Sequence, residues 1–181
     1  MKLMIASDIH GSAYYCRKLV KAYEVEKPDK MVLLGDILYH GPRNDLPMEY
    51  APKEVIEMLN LMKDVILCVR GNCDTEVDQM VLEFPVLADY GVIMFDGRTI
   101  YLTHGHKYNE ANPIPVAFGD IMMNGHTHVP RFVKHEKYTF INPGSVSIPK
   151  ENSPHSYIVI EDGECIFKDV ETLKEYNRYF L

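Results

Sequence analysis

VILCVRGNCD, residues Val65 to Asp74, changes character halfway. Its first half is almost wholly apolar and reads as a buried strand. Its last four residues are small, polar and turn-forming, and one carries a thiol. Taken alone, Gly71-Asn72 is a simple turn and Cys73 a small buried hydrophobe. Working outward changes that reading, because other apolar runs end the same way. KLMIAS leads into Asp8 and His10, and KMVLLGD ends on Asp36. RTIYLT leads into His104 and His106, and DIMMNG into His126 and His128. Five predicted strands thus end in Asp, Asn or His, mostly beside glycine.

The segments between them set the fold class. Ser12 to Glu26 has a helical pattern, with Leu19, Val20, Tyr23 and Val25 as its predicted buried positions, and Lys27-Pro28 ends it. A loop rich in Pro, Gly and Asn follows the second strand, from His40 to Tyr50. Pro52 then suits the first turn of a helix running to about Met62. This β-α-β-α-β order calls for a parallel, buried sheet. Further on, Asp96-Gly97 and Asp162-Gly163 join strand pairs as short hairpins, and RFVKHE with KYTFIN reads as another. The later strands are therefore expected to be mainly antiparallel. The prediction is one α/β domain over residues 1–181, with two mixed β-sheets packed as a sandwich and helices flanking it. A single doubly wound sheet is the alternative.

Composition narrows the function classes. The 181 residues carry a formal net charge of −7 with no basic stripe or tail, which argues against a stable nucleic-acid partner. The N-terminus turns polar after a few apolar residues, too soon for a signal-peptide core or a membrane span. Cys16, Cys68, Cys73 and Cys165 form no Cys-x-x-Cys pair. A reduced cytoplasmic protein is expected, without disulfides or a zinc-thiolate site.

The strand ends have the chemistry of a ligand set. Residues two apart on an extended segment point the same way, so Asp8-x-His10 and His126-x-His128 each offer two ligands. With Asp36, Asn72 and His104 they make seven oxygen and nitrogen donors, a set that suits Mn²⁺, Fe or Zn²⁺. Seven is too many for one tetrahedral ion. It suits two ions sharing a carboxylate, the arrangement that clamps both oxygens of an in-line displacement at phosphorus. In α/β sheets such residues converge at the carboxyl edge of the strands.

The ordered motifs SDIHG, GDILYHGPRN, GNCD, THGH, GHTH and NPGSVS resemble the calcineurin-like metallophosphoesterase superfamily. The resemblance is closest to its small YfcE-like phosphodiesterase branch, and it runs from Asp8 to about Pro149. It implies a helix-flanked β-sandwich with two divalent metal ions, Mn²⁺ first and Fe, Ni or Zn²⁺ also permitted by the donors. Asp8, His10 and His128 would hold one ion, Asn72, His104 and His126 the other, and Asp36 both. A hydroxide bridging the ions would attack the phosphoester in line. Asp36, Asn72 and Cys73 are the implied catalytic residues.

Two departures stand out. The second motif lacks the later Asp of Gly-Asp-x-x-Asp. The third reads Gly-Asn-Cys, where most members read Gly-Asn-His. A thiol donates a proton weakly and cannot carry imidazolium charge, so a slower enzyme, or one confined to easily departing leaving groups, is expected. His40, Arg43 and Asn44 are candidate substrate contacts, Arg43 through its planar fork. The His40–Tyr50 and Tyr108–Phe118 segments are expected to set specificity. Tyr14, Tyr15 and Tyr108 are candidates for lining a cleft. The expected partner is a small phosphodiester, with no membrane, and the chain is expected to form a dimer or tetramer. A phosphomonoesterase or nucleotide pyrophosphatase fits the same centre. A scaffold like the vacuolar-sorting subunit of retromer is the non-enzymatic alternative, though a scaffold has no need of all seven ligands.

Overall fold

The computed structural model describes all 181 residues. The first strand, β1 (Leu3–Ala6), is fully buried on both faces. Its side chains alternate: Leu3 and Ile5 enter one apolar cluster, Met4 and Ala6 the other. β1 pairs in parallel with β2 (Lys30–Leu33), and β2 with β3 (Ile66–Cys68). On the other side β1 pairs antiparallel with β9 (Ser156–Glu161), which continues through β10 (Glu164–Asp169) to β11 (Glu175–Phe180). The second sheet has the order β4 (Tyr90–Phe95), β5 (Arg98–Thr103), β6 (Asp120–Met123), β8 (Tyr138–Pro143), β7 (Pro130–Lys134). The two inner faces share one core of Ile5, Val32, Leu102, Ile121, Ile141 and Ile158, among others. Each fully buried side chain of this kind contributes about 2 kcal/mol.

Two packed sheets rule out the single doubly wound sheet. The second sheet is also more mixed than its hairpins suggest. β4–β5 and β7–β8 are antiparallel, but β5, β6 and β8 run parallel. Each sheet therefore contains three parallel strands, and parallel strands deliver their C-terminal ends to one edge.

Helices α1 (Ala13–Glu26) and α2 (Pro52–Asn60) cover the outer face of the first sheet. Ser12 caps α1 by accepting the Tyr15 N–H. The buried face of α1 is Tyr15, Cys16, Leu19 and Ala22. Val25, read as core, is 52% exposed, because it falls four residues after Lys21 on the helix's outer face. Tyr15 stacks on His155 with ring centroids 4.0 Å apart. A short helix, α3 (Glu76–Val81), follows the third strand, and like β11 it has too weak a periodicity to read from sequence. The four cysteines are free, and no helix is long and apolar enough to cross a membrane.

One ion cluster ties α1 to the far strands. Glu26 accepts from Tyr157 Oη at 3.0 Å and from Lys168, with Lys2 Nζ 3.4 Å away. Burial pushes the Glu26 carboxyl up, but Lys168, Tyr157 and Lys2 outweigh it, so it lies below the ordinary 4.5. A depressed carboxyl stabilises the fold above its unfolded pKa and loses that contribution as pH falls through the folded value. Glu26→Gln is expected to cost about 1–2 kcal/mol at neutral pH. In urea unfolding the variant and wild type should converge towards about pH 3.

Candidate metal centre

All seven candidate ligands meet at one edge of the sandwich. Asp8 and His10 follow β1, Asp36 follows β2, Asn72 follows β3, His104 follows β5, and His126 and His128 follow β6. The turns that deliver them are strained. Asp8, His10, Asp36, His126 and His128 have φ of 56°, 50°, 54°, 67° and 62°. Non-glycine residues rarely occupy this left-handed region, and where they do the surrounding structure must hold them there. Here it does. Asp8 N–H donates to Gly35 O, His10 N–H to Asp36 O and Gly11 N–H to Ile37 O, at 2.8–3.1 Å. Ser145 and Ser147 of the NPGSVS loop donate their hydroxyls to Asp8 O at 2.8 and 3.0 Å.

Asp74 is a second brace. Its buried carboxylate accepts the N–H groups of Asp36, Ile37 and Gly71 at 2.8, 2.9 and 2.7 Å. It thereby locks the loop after β2 to the loop after β3. Burial lifts Asp74 to about 6, with Asp36 pushing the same way against those N–H groups. Close approach also dictates Gly71, because a Cβ there would overlap the backbone and carboxylate of Asp36. Asn142 holds the β6 loop, donating to Gly125 O at 2.7 Å and Thr127 Oγ1 at 3.0 Å.

The imidazoles are fixed in one tautomer. Nδ1 of His10, His104 and His128 lies 2.7, 2.7 and 2.6 Å from the carbonyls of Tyr39, Leu34 and Ile148. A carbonyl only accepts, so each Nδ1 carries a proton, and Nε2 is the atom each ring turns inward, with a lone pair whenever the ring is neutral. This is how proteins orient metal-binding histidines.

The inward atoms fit a pair of cations. Nε2 of His10 and Nε2 of His128 face each other at 3.3 Å. Asp8 is fully buried, and its Oδ1 has no hydrogen-bond partner, with His10 and His128 Nε2 at 3.6 and 3.4 Å. A second set gathers His104 Nε2, Asn72 Oδ1 at 3.0 Å and His126 Nδ1 at 3.2 Å. Asp36 stands between the sets, its Oδ2 3.7 Å from His10 Nε2 and 3.4 Å from His104 Nε2. Its Oδ1 accepts the Cys73 N–H at 2.8 Å. Facing acceptors and an unpartnered buried carboxylate oxygen are unfavourable without positive charge. The site's demand for that charge shows at His104: burial pulls it down, yet Asp36 and Asp8 raise it to about 9. His126 is pushed down by burial and its neighbour His104, so it stays a neutral donor.

These groups open onto a cleft of about 440 Å³. Gly41, Pro42, Arg43 and Asn44 form one wall, and Thr127 and Lys150 another. Arg43 and Asn44 thus line the cleft. His40 does not line the cleft; its ring packs edge-on to Tyr39 and Tyr50, 4.7 and 5.2 Å between centroids. Nothing from Tyr108–Phe118 and none of the three tyrosines lines it either. Lys150 and Thr127 escaped the sequence reading. Thr127 was legible as the middle residue of GHTH, whereas Lys150 carries no local signal.

Cys73 is half-buried beside Asp36, accepting from Asn72 Nδ2 at 3.3 Å. Burial and the Asp36, Asp74 and Asp8 carboxylates push its thiol up, which keeps it neutral. His106 sits 5.4 Å from the His104 ring but outside the cleft. Burial and the nearby His104 and His126 lower its pKa.

Comparison with known proteins shows the family. Residues 1–163 match the family model of the calcineurin-like phosphoesterase superfamily domain. The chain is 43% identical to phosphodiesterase YfcE of Escherichia coli over 162 residues, 90% of this chain and 88% of that protein. The YfcE structure superposes with a TM-score of 0.97 at 38% identity, covering 99% of both chains. Vacuolar protein sorting 29 from Cryptosporidium parvum shares the fold alone, with a TM-score of 0.64 and 17% identity over 99% of this chain and 98% of that one. Motifs, fold and these matches place the chain in the calcineurin-like phosphoesterase superfamily, in its YfcE-like branch.

Proposed function

We propose that the protein is a metal-dependent phosphodiesterase with a dinuclear centre. The observation that carries this reading is Asp36 Oδ2, the carboxylate oxygen that faces both ligand sets. Asp8, His10 and His128 would hold one ion, Asn72, His104 and His126 the other, and Asp36 both; Mn²⁺ is the proposed metal. Bound there, divalent ions supply Lewis acidity and lower the pKa of water towards neutrality. The chain's own groups do the rest. Three carbonyl-locked imidazoles keep their lone pairs on target, so the centre needs no rearrangement during reaction. Arg43 presents a planar fork to the non-bridging phosphoryl oxygens. The similarity to phosphodiesterase YfcE supports the reaction class.

The direct test is hydrolysis of bis-p-nitrophenyl phosphate with Mn²⁺ and after chelation. Turnover that requires the metal is expected. Saturating Mn²⁺, at about 100 times its Kd, should also stabilise the fold by about 2.7 kcal/mol. Absence of both effects would favour a scaffold.

Cys73 limits the leaving groups. A neutral thiol offers the departing alkoxide little acid assistance, whereas a positioned acid contributes about 10²–10⁴-fold. Cys73→His is expected to raise kcat on an alkyl phosphodiester by at least about tenfold. The gain on the p-nitrophenyl ester, whose leaving group departs unaided, should be much smaller. Equal effects on the two esters would remove Cys73 from leaving-group chemistry.

A further inference from the structure

The cleft has an unusual lining for its size. Of its twelve lining residues, only Pro42 and Cys73 have largely apolar side chains. No Tyr, Phe or Trp is among them, and the only aromatic rings are the imidazoles of His10, His126 and His128, already aimed at the metal sites. A nucleobase or acyl chain would find neither a stacking face nor an apolar wall, the usual features of sites that take such groups. The walls instead offer Asn44, Thr127 and two cations.

Those cations are uncommitted. Arg17, Arg70, Arg131 and Arg178 each pair with a carboxylate, but none lies within ion-pair distance of Arg43 or Lys150. Asp36 is the only carboxylate in the lining, although the chain as a whole carries a net charge of −7. The two cations also come from different loops, one after β2 and one after β8. Gly41 places the Arg43 loop over Cys73, within 3.3 Å of Sγ for a Cβ built there. Lys150 is rooted in the loop after β8, its N–H donating to His128 O at 3.1 Å. Its own carbonyl accepts Ser153 Oγ at 2.6 Å. The backbone is thus held while the ammonium stays free. A phosphodiester carries one negative charge, which the metal ions and Arg43 satisfy, so Lys150 is left over.

We infer that the substrate is a small, hydroxylated phosphodiester bearing a second anionic group, and that Lys150 receives that group. The inference rests on the phosphodiesterase reading above and narrows it to a substrate class. Its test is a set of p-nitrophenyl phosphodiesters that share one leaving group. In each, water's oxygen ends on phosphorus as the P–O bond to p-nitrophenolate breaks. The second arm is glycerate (anionic), glycerol (neutral), choline (cationic) or thymidine (a base).

At low salt, kcat/KM for the glycerate ester should exceed that for the glycerol ester by about tenfold, and the gap should shrink as salt screens the charge. Lys150→Met should bring that ratio close to one, and Lys150→Glu should shift preference to the choline ester. Lys134→Met, on β7 outside the cleft, should leave the ratio alone. Equal wild-type rates for glycerate and glycerol, a preference for thymidine, or a ratio untouched by both Lys150 variants would overturn the inference while leaving the phosphodiesterase reading intact. If Mn²⁺ gives no hydrolysis of bis-p-nitrophenyl phosphate, both readings fall together.

Discussion

Asp36→Asn is expected to lower Mn²⁺-dependent hydrolysis of bis-p-nitrophenyl phosphate by more than about 10³-fold. Losing one preorganised electrostatic contact to a transition state already costs about 10²–10³-fold, and Asp36 serves two ligand sets at once. The amide keeps an oxygen for the Cys73 N–H, which Asp36 Oδ1 now accepts at 2.8 Å. Folding should therefore survive. Metal-free stability should fall modestly at neutral pH, because burial raises the Asp36 carboxyl but His104 and the Cys73 N–H outweigh it, and a carboxyl held below its ordinary value stabilises the fold when ionised. The increase in melting temperature on adding Mn²⁺ should largely disappear. Wild-type turnover and a wild-type thermal response in this variant would show that Asp36 does not link the two sets.

Asp74→Ala should be the most destabilising change near the site at a residue that is not itself a candidate ligand. It strands the buried N–H groups of Asp36, Ile37 and Gly71. At about 1–3 kcal/mol for each stranded donor, the loss should be about 3–5 kcal/mol in denaturant unfolding. Asp74→Asn keeps one acceptor oxygen and should cost less, about 1–3 kcal/mol. That milder variant is the one to assay, because it should fold. Its affinity for Mn²⁺ should drop by about 10–100-fold, the usual effect of loosening a group that orients a ligand. An Asp74→Asn protein with wild-type stability and metal affinity would assign the bracing of the Asp36 loop to other contacts.

Cys73 and Asp74 show how unevenly the site could be read. The neighbours of Asn72 are legible as letters in a motif, but their roles depend on partners far along the chain. Asp74 is, in the sequence, one more polar letter of a turn-forming end. In the fold its carboxylate serves the loop after β2, while Arg70 Nε reaches only its backbone carbonyl at 3.1 Å. His40 read as a rim residue beside Arg43. Tyr39 and Tyr50 instead flank its ring, a packing preference that spacing does not reveal. The third strand shows the same limit in the backbone. Its apolar run suggests a longer element, yet regular pairing stops at Cys68 and Arg70 N–H turns to Ala88 O at 2.8 Å.

What the sequence determined by itself is the donor chemistry and the sheet edge that carries it. Strand, turn and ligand lie within a few residues of one another, so alternation and glycine placement are enough to read them. The left-handed turns of Asp8, His10, Asp36, His126 and His128 came only with the tertiary structure. So did the carbonyls that lock three imidazoles and the arrival of Lys150 in the same cleft as Arg43. These depend on segments that are distant in the chain meeting across two packed sheets. Local pattern carries no record of such contacts, because burial and long-range hydrogen bonds, not propensity, decide them.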